Sequence, residues 1–595
     1  MRELDGHQVF GFFRAGAERI QLLSADIDRI NVFPVPDGDT GANLSLTLGH
    51  AVATAQVHAS AAATLGSLAE SALVGARGNA GVIFAQFVVG LAEALGERAR
   101  VDMERFAQAV HEAQGSAWRA VQDPREGTML TVIRAWAEAL RRHQAQSPDF
   151  PELLRASHPT LEESLAGTRD QLEALRAAGV VDAGALGFVV FVEGGKAYLE
   201  AGAPRLEAAH LELPAPVAAD HGWDLGEDPR SGPRYCTEFL LEPRGGDLDL
   251  TDLRRRLAGL GDSLIVAGGG RRARVHLHCM RPARALERLL PLAQVRSQKV
   301  EDMHRQFADA RVPHGRVALV TDSTCDLPQD LLDRHGIHVV PLTLRFGAEE
   351  FLDRLTLEGE AIFDRMAASP VPPATSQPPP LVFERLYRSL LPHYDLVLSL
   401  HLSSKLSGTC ASARRAAEAV DPARVRVVDT RHLSGSLGLL VLETARRLEA
   451  GAPAEAVLEA LPGLCDGARI LVSVRSLDAM VRSGRVSPLK GLLARALNLK
   501  PIVSVDHEGA SRLHGKAFSV EANLRKILRM AAEAHAARPV GTWAVVHGGD
   551  LEAARDLALR VEPLLGRPPE HVSPISAVIG LSAGQGAVAL ATLPA

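Results

Sequence analysis

Two aspartates on a sharp turn are the first residues in this sequence that could hold a metal ion. Asp37 and Asp39 flank Gly38, and an apolar-rich run, residues 44–52, follows closely. Such carboxylates suit Mg²⁺, which takes one or two of them together with waters and substrate phosphates. A helix starting directly after the turn would aim unpaired N–H groups at the same point and favour an anion. The pattern predicts a site for a nucleotide triphosphate, although Asp-Gly-Asp framed by prolines is also typical of a plain turn.

Three further segments carry glycine or polar residues where the chain turns into a helix. Residues 75–81 form a Gly-rich loop ahead of an apolar helix, and glycine lets backbone amides come close to phosphate oxygens. The other two segments are residues 124–131 and 181–187. A glycine loop between helices is equally typical of a tight turn, so the residues alone leave both interpretations open.

Taken with residues 31–43, these segments resemble the ATP-binding domain of the dihydroxyacetone-kinase L-subunit family, most closely the branch found in bacterial fatty-acid kinases. In that family the loops gather at one end of an antiparallel helical barrel and bind Mg-ATP. The resemblance implies that Asp37 and Asp39 are catalytic Mg²⁺ ligands and that Asn31 assists them. It also implies nucleotide contacts from Thr40, Asn43, Gly78, Asn79, Thr128, Met129, Asp182 and Gly184.

Two residues of the Gly-rich loop leave questions open. Arg77 could act catalytically by stabilising charge on the transferred phosphoryl group, or it could be a surface cation. Ala80 stands where the fatty-acid kinase branch commonly has serine; if that hydroxyl contacts phosphate, ATP binding is weaker here, although the backbone amides remain. Phosphoryl transfer depends mainly on positioning and charge neutralisation, so this departure does not predict an inactive protein.

A His-x-His pair lies on a predicted strand at residues 273–279. Because side chains alternate along a strand, His276 and His278 project together, while Cys279 lies on the opposite face and is expected in the core. With a thiolate from Cys236 they form a soft set of two nitrogens and one sulfur that suits Zn²⁺. Histidines that merely face solvent would produce the same spacing.

Residues 235–239 and 261–266, followed by residues 275–278, resemble the central domain of fatty-acid kinases. In that domain the matching cysteine and two histidines hold zinc. The resemblance therefore implies Cys236, His276 and His278 as zinc ligands.

Hydroxyl-rich segments follow predicted strands in the C-terminal half. They are residues 317–328, 374–378 and 402–409. Ligands of open α/β sheets bind beyond the carboxyl ends of the strands, where clustered hydroxyls can donate to a carboxylate or phosphate. Serine and threonine that simply cap helices are the alternative.

Together these segments resemble the DegV family, whose members bind one fatty acid and partner the fatty-acid kinase; residues 482–486 and 579–586 extend the resemblance. It implies that Thr375 and Ser407 hold the carboxylate, with Ser376 and Arg485 close by. Ser582 stands where these carriers usually have a histidine associated with the ligand head group. This departure puts the presentation of the carboxylate in question.

Composition argues against several classes of function. The 595 residues are 46% hydrophobic and 23% charged, and the net charge is −6. This balance gives no support to nucleic acid or an anionic membrane surface as a partner. No apolar run reaches the roughly 18 residues of a membrane-spanning helix, and the five scattered cysteines argue against a disulfide framework. We expect a cytoplasmic protein with reduced thiols.

The elements that would position these residues predict a multidomain protein. Residues 1–202 are mainly helical, and the resemblance implies an all-α antiparallel barrel. Residues 203–234 are interrupted by prolines and predict a linker, residues 235–312 a small α+β domain, and residues 315–595 an α/β domain. The first helix has one apolar face, made by Val9, Phe13, Ala17, Ile20, Leu23, Ile27 and Ile30. Strands of the last domain are predicted at residues 317–321, 339–345, 396–400, 425–429, 470–474 and 543–547.

The combined resemblances imply a one-chain fatty-acid kinase, which passes the γ-phosphoryl group of ATP to a fatty acid held by its own C-terminal domain. ATP, Mg²⁺ and Zn²⁺ are the implied cofactors. The expected ligand is the fatty acid, while an acyltransferase that receives acyl phosphate and a second copy in a homodimer are partners that the sequence leaves open.

Two alternatives stay open. One is a kinase for dihydroxyacetone or another small hydroxylated compound, although that family holds its ketone through a histidine on a separate domain that is not found in this sequence. The other is a non-enzymatic lipid-binding or sensing protein, which Ala80 and Ser582 favour.

Overall fold

The computed structural model of the chain describes residues 1–32, 38–201, 232–311, 316–483 and 500–595. They form two compact units, Met1–Phe307 and Ala308–Ala595. Asp37, Arg485 and most of the expected linker lie outside the described residues, so what the sequence indicates for them stays a prediction.

The N-terminal part of the first unit is helical. Its helices are α1 (Gly6–Arg29), α2 (Thr40–Thr54), α3 (Ala61–Gly75), α4 (Gly78–Leu95), α5 (Met103–Ala120), α6 (Met129–His143), α7 (Phe150–Gln171), α8 (Glu173–Ala178) and α9 (Ala183–Ala201). Two short strands, β1 (Glu3–Leu4) and β2 (Val101–Asp102), pair antiparallel. All seven apolar positions predicted for the first helix are buried, which confirms its core-facing side.

Helices α1 and α9 approach closely because glycine lies at their contact. A Cβ on Gly194 would lie 2.6 Å from the Ala15 carbonyl oxygen and 2.8 Å from Gly16 Cα. Beside this contact the rings of Phe13 and Phe191 meet edge to face, with centroids 5.2 Å apart. The loops that follow α1 and precede α9 both contribute to the candidate site, so this contact helps to position it.

A four-stranded antiparallel sheet of order β4-β5-β3-β6 forms the rest of the first unit. Its elements are β3 (Tyr235–Pro243), α10 (Leu250–Leu257), β4 (Gly261–Gly269), β5 (Arg272–Cys279), α11 (Pro282–Leu289), β6 (Ala293–Asp302) and α12 (Met303–Asp309). Ile265 and Ala267 of β4 belong to one apolar cluster with Leu73 of α3 and Val82 of α4. The sheet and the helices thus share a core, which confirms a small α+β region beside a helical one.

Strands and helices alternate in the second unit. In chain order they are β7 (Val317–Asp322), α13 (Gln329–Arg334), β8 (Ile337–Val340), β9 (Thr343–Phe346), β10 (Glu349–Leu352), α14 (Ala361–Ala368), β11 (Ala374–Ser376), α15 (Pro380–Leu390), β12 (Leu396–His401), α16 (Thr409–Val420), β13 (Val425–Asp429), α17 (Ser434–Glu449), α18 (Ala454–Gly467), β14 (Arg469–Ser473), α19 (Asp478–Arg482), β15 (Lys500–Val505), β16 (Ser511–Ala517), α20 (Val520–Ala537), β17 (Val540–His547), α21 (Leu551–Leu565), β18 (Val572–Pro574), α22 (Ala577–Ala583) and β19 (Val588–Pro594).

These strands form three sheets. The orders are β13-β12-β7-β8, which is parallel, β16-β15-β14-β19-β17-β18, which is mixed, and β10-β9-β11, which is antiparallel. The strand predicted at residues 339–345 is wrong as a single element, because β8 and β9 belong to different sheets. Pro341 lies between them, and proline has no N–H with which to continue a ladder.

One helix within the described ranges, α4, is long and apolar enough by composition to cross a membrane. The expectation that no run reaches this length therefore does not hold for α4. Most of the helix is buried inside the protein, where Phe84 and Phe87 pack against each other in the helical core. Core helices of this kind meet the same criterion.

Two buried carboxylates hold the start of α22. Asp353 accepts hydrogen bonds from the Ala577 amide at 2.9 Å and the Ser323 hydroxyl at 2.7 Å. Asp326 accepts hydrogen bonds from the Ser576 amide at 2.7 Å. Burial raises the pKa of Asp353 to about 7 and that of Asp326 to about 6. The position of α22 therefore depends on two groups that titrate near neutral pH.

We expect Gly194→Ala to lower the free energy of unfolding by about 1–3 kcal/mol, because its methyl group would collide with the backbone of α1. The midpoint of urea denaturation, followed by circular dichroism, measures the effect. Gly66→Ala is the matched control, because Gly66 lies in α3 with nothing within 4 Å of an added Cβ. That variant should gain up to about 1 kcal/mol from helix propensity. Equal stability of the two variants would contradict the proposed contact.

We expect the protection of α22 to fall as the pH rises from about 4 to 7. The folded pKa of Asp353 lies above the ordinary value of 3.8, so the folded state keeps a proton that the opened state has released in this window. Hydrogen exchange over α22, corrected for the intrinsic rate, measures this dependence. In Asp353→Asn the dependence should be smaller, because the amide does not titrate, and an unchanged slope would rule out Asp353 as its source.

Candidate functional site

The start of α2 is capped by a carboxylate from α1. Asp28 Oδ1 accepts hydrogen bonds from the amides of Gly41 and Ala42, at 2.6 and 3.1 Å. Burial raises the pKa of Asp28 to about 6. These amides were expected to be unpaired and to face an anion. The structure corrects this expectation, because a side chain of the protein already occupies them.

Asn31, Asp39 and Thr40 lie together beside this cap. The Thr40 hydroxyl donates to Asn31 Oδ1 at 2.9 Å, and all three residues line a small cavity. Asp39 is half-buried there. The structure therefore brings together the described members of the predicted Mg²⁺ set.

The Gly-rich loop contacts α2 at the same cavity. Gly78 has a positive φ of 62°, and a Cβ at this position would lie 2.6 Å from Asn43 Nδ2. The neighbouring Asn79 also lines the cavity, and its Oδ1 is buried with no hydrogen-bond partner among the described residues. A buried polar atom without a partner is costly, so this position suits a bound polar group.

The two remaining loops meet the Gly-rich loop. A Cβ on Gly184 would lie 3.3 Å from Asp182 Oδ1, 3.4 Å from Met129 Cε and 3.5 Å from Ala80 Cβ. Asp182 accepts a hydrogen bond from the Ala185 amide at 2.7 Å, and burial raises its pKa to about 6. Thr128, directly before α6, donates its hydroxyl to the Arg125 carbonyl at 2.8 Å. The predicted nucleotide contacts thus lie at one end of the helices.

One face of the four-stranded sheet carries the predicted zinc ligands. In the register, Cys236 pairs with His278, and the ligand atoms of Cys236, His276 and His278 all lie within 4.8 Å of one another. The two Nε2 atoms of the histidines are 3.3 Å apart. Cys279 instead contacts the Thr237 hydroxyl in the core, as its position on the opposite face predicts.

The surroundings of the histidines fit zinc. His276 Nδ1 lies 3.4 Å from Glu238 Oε1, and His278 Nδ1 lies 3.4 Å from Asp262 Oδ1. A zinc-binding histidine generally donates its second ring N–H to a carboxylate, which leaves the other nitrogen for the metal. Both Nε2 atoms and the Cys236 sulfur are therefore suited to one ion.

Residues of two predicted nucleotide segments, 31–43 and 75–81, line the same cavity of about 40 Å³ as the Cys-His-His cluster, whereas Thr128, Met129, Asp182 and Gly184 do not line it. Its lining residues are Asn31, Asp39, Thr40, Asn43, Gly78, Asn79, Ala80, Cys236, His276, His278, Lys299, Glu301 and Gln306. The two predicted sites are thus one site in the first unit, which their separation in the sequence did not indicate.

Arg77 and three acidic or basic residues of the sheet complete this site. Arg77 Nη1 lies 3.8 Å from Glu238 Oε2, so the guanidinium points towards the site. Sequence reasoning missed Glu238, Lys299 and Glu301. A sequence signal was available for Glu238, because it lies two residues after Cys236 and therefore shares its strand face. Only the register shows that Lys299 lies opposite Glu238 and Glu301 opposite Cys236 on this face.

A cavity of about 440 Å³ lies in the second unit. Thr375, Ser376, Ser407 and Ser582 line it, so the structure brings together the described residues predicted to bind a carboxylate. Its apolar lining includes Leu342, Leu402, Leu406, Leu433, Ile470, Val472, Met480, Val546, Ile575, Val578, Ile579, Ala583, Ala587 and Ala589. This volume and an apolar wall with few polar groups are typical of a small-molecule site.

The polar and apolar parts of this cavity differ in depth. Ser376 and Gln377 are exposed, whereas Val546 and Ala589 are buried. The cavity therefore runs from a hydroxyl-rich opening into an apolar interior. Sequence reasoning missed Gln377 and two further serines, Ser434 and Ser511.

Ser434 and Ser582 line this cavity, and their hydroxyls contact residues around it. Ser434 has a positive φ of 54°, and its hydroxyl donates to Asp326 at 2.5 Å. Ser582 Oγ lies 3.5 Å from Ser483 Oγ. Ser582 therefore offers a hydroxyl at the position where a histidine was expected from the resemblance.

Three family models match the chain in succession. Residues 34–197 match the DAK2 domain, residues 232–310 match the FakA-like middle domain of fatty acid kinases, and residues 316–595 match the DegV family of uncharacterised proteins.

Curated relatives match about half of the chain. Protein YloV of Bacillus subtilis is 32% identical over 315 residues, which cover 51% of this chain and 57% of YloV. The chain thus spans just over half the length of that relative. A DegV domain-containing protein of Deinococcus radiodurans is 35% identical over 283 residues, which cover 47% of this chain and 98% of the relative.

Among solved structures, a DegV family protein of Thermus thermophilus described by its fatty-acid binding is 36% identical, with a TM-score of 0.44. It is covered completely by 47% of this chain. DegV of Bacillus subtilis, described as a fatty acid binding protein, is 27% identical, with a TM-score of 0.43; 47% of this chain covers 99% of it.

The DegV relative from Deinococcus is matched over almost its whole length at 35% identity, and the DegV family model matches residues 316–595. Matches to the DAK2 domain and to the FakA-like middle domain precede this region in the same chain. The chain belongs to the DegV family through residues 316–595, and it joins this domain to a DAK2 domain and a FakA-like middle domain.

Proposed function

We propose that the protein is an ATP-dependent kinase that phosphorylates the carboxylate of a fatty acid bound in its own DegV domain. The observation that carries this proposal is the single cavity lined by Asp39, Asn79 and the Cys236-His276-His278 cluster. At this cavity, nucleotide-type loops of the helical region lie beside a middle domain of the fatty-acid-kinase type. The apolar cavity of the second unit supports a lipid as the acceptor.

Asp39 and Asn31 are the described residues that would hold Mg²⁺ in this site. Bound Mg-ATP would supply the γ-phosphoryl group and neutralise charge on it. The unpartnered Asn79 Oδ1, the Gly78 turn and Met129 offer the surroundings of the nucleotide. Such a reaction depends on positioning and on cationic groups, and Arg77 and Lys299 provide such groups in this chain.

Cys236, His276 and His278 would hold Zn²⁺ with three protein ligands. A three-ligand site keeps one coordination position free, and the ion would act there as a Lewis acid. Lys299 lines the same cavity and forms an ion pair with Glu301 at 2.8 Å. The Glu301 charge raises the pKa of Lys299 despite its burial, so the ammonium keeps its charge.

The cavity of the second unit suits an amphipathic ligand. An alkyl chain in its apolar interior would gain about 0.8 kcal/mol for each buried CH₂ group. The carboxylate would then lie at the opening, where Thr375, Ser407 and Ser582 offer hydroxyl donors. A carboxylate oxygen would form a bond to the γ-phosphorus as the bond to the bridging oxygen of ADP breaks, which yields acyl phosphate and ADP.

We further propose a cytoplasmic location and two protein partners. All five cysteines are free, which is compatible with the cytoplasm. An acyltransferase that consumes the acyl phosphate and a second copy of the chain are the protein partners we propose.

We expect the full-length protein to form acyl phosphate from Mg-ATP and a long-chain fatty acid such as oleate. Trapping with hydroxylamine as the hydroxamate measures the product. Asp39→Asn should lower kcat at least about 100-fold, because it removes a charge from the Mg²⁺ site. Asp170→Asn is the control, since Asp170 is an exposed aspartate of the same helical region, and this variant should keep wild-type activity.

The same assay separates the proposal from its rivals. Phosphorylation of dihydroxyacetone with no response to oleate would indicate a small-molecule kinase instead. Binding of oleate without any ATP consumption would indicate a lipid-binding protein.

We expect the double variant Thr375→Val/Ser407→Ala to bind oleate at least about tenfold more weakly than the wild type. Each hydrogen bond to a charged carboxylate contributes roughly 1.5–3 kcal/mol, and two are removed. Isothermal titration calorimetry with the delipidated protein measures the change. Ser404→Ala, at an exposed serine three residues before Ser407, should bind like the wild type. Unchanged affinity in the double variant would place the head group elsewhere.

A further inference from the structure

One buried carboxylate touches both halves of the site in the first unit. Glu238 Oε1 accepts a hydrogen bond from the Gly78 amide at 2.7 Å, and the same oxygen lies 3.4 Å from His276 Nδ1. Its Oε2 accepts a hydrogen bond from Arg274 at 2.6 Å and lies 3.8 Å from Arg77 Nη1. Gly78 lies in the Gly-rich loop and begins α4, and His276 belongs to the metal cluster.

Such a carboxylate is held firmly in one place. The Glu238 side chain is fully buried, and a buried charge is costly unless partners surround it. Its two carboxylate oxygens contact the Gly78 amide, His276, Arg274 and Arg77. Glu238 therefore has four described partners and little freedom to move.

Glu238 Oε1 is the atom that contacts both the metal cluster and the Gly-rich loop. A metal bound through His276 Nε2 requires the proton on Nδ1, and Glu238 Oε1 is placed to accept it. The same atom fixes the Gly78 amide, and Gly78 adopts a turn conformation with φ of 62° that presents Asn79 to the cavity. Both contacts use the same oxygen, so a movement of the Glu238 carboxylate changes the Gly78 contact and the His276 contact together.

From this contact we propose that Glu238 is a positioning residue that couples metal binding at Cys236, His276 and His278 to nucleotide binding at the Gly78 loop. The inference rests on the proposed function, because it takes the loop to be a nucleotide site. Bound zinc would fix the orientation of the His276 ring, and His276 would in turn fix the position of the Glu238 carboxylate. Glu238 then holds the Gly78 turn in the conformation that receives the phosphates. Zinc-loaded protein therefore binds nucleotide more tightly than zinc-free protein.

Because the two binding equilibria are linked, the coupling can be measured either as an effect of zinc on nucleotide affinity or as an effect of nucleotide on zinc affinity. The factor by which zinc raises the affinity for nucleotide equals the factor by which nucleotide raises the affinity for zinc. We expect a factor of at least about five, the lower end of typical couplings between sites.

The experiment uses the full-length protein and measures binding, without turnover. Zinc is removed with dipicolinate, which leaves Mg²⁺ in excess, and is restored in a parallel sample. Calorimetric titration with Mg-ADP gives the nucleotide affinity of each form, and competition with a chromophoric chelator gives the zinc affinity with and without Mg-ADP.

Glu238→Gln keeps the shape of the side chain but removes its charge. This variant should bind zinc about 10–100-fold more weakly, and its Mg-ADP affinity should be the same with and without zinc. Glu242→Gln is the matched control, because Glu242 lies on the same strand and is also held by two arginines, Arg272 and Arg296, at 2.5 Å each. It should keep the wild-type coupling.

The outcomes separate this inference from the proposed function. If the wild-type protein binds Mg-ADP equally well with and without zinc, the coupling is absent, while the kinase proposal stands. If Glu238→Gln keeps the full coupling factor, Glu238 does not carry it. If no form of the protein binds Mg-ADP, the nucleotide site itself is wrong. The wild-type comparison needs no variant, so a Glu238→Gln protein that fails to fold does not prevent the test.

Discussion

Burial of charge on one sheet face is the constraint on which the first unit depends. Cys236 and Glu238 on β3 share this face with His276 on β5 and Lys299 on β6. Charged groups removed from water must find partners, so this face can be buried only where the opposing loops offer them. The Gly78 amide is one such partner for Glu238. The sheet and the helices therefore fit together at the point where the candidate site forms.

The constraint in the second unit is a different one. Its cavity has apolar walls, which tend to collapse onto one another, and the surrounding structure must keep them apart. Buried carboxylates and a backbone residue with positive φ help to hold this wall. Ser434 keeps a positive φ while it donates to Asp326, and Asp353 fixes the first amide of α22. Local strain of this kind persists only when the surroundings determine it, and it is common at binding sites.

The limits of the sequence-based predictions have physical causes. Period-two alternation correctly placed His276 and His278 on one face and Cys279 on the other, since a strand fixes the direction of each side chain. The same reasoning failed to show that Asp28 caps α2, because that hydrogen bond depends on how α1 and α2 pack. It also joined β8 and β9 into one strand by neglecting Pro341.

Periodicity and motif order were enough to indicate the helical, α+β and α/β parts of the chain, because these signals are local and repeat along it. The family resemblances identified most residues that line the cavity of the first unit, but only four of those that line the cavity of the second unit, Thr375, Ser376, Ser407 and Ser582. Only the tertiary structure decided that Asp39 and the Cys-His-His cluster share one cavity, and that Glu238 joins Gly78 to His276. Glu238 lies 160 residues from Gly78 in the sequence, and contacts over such a separation follow from packing of the whole core, which local patterns do not encode.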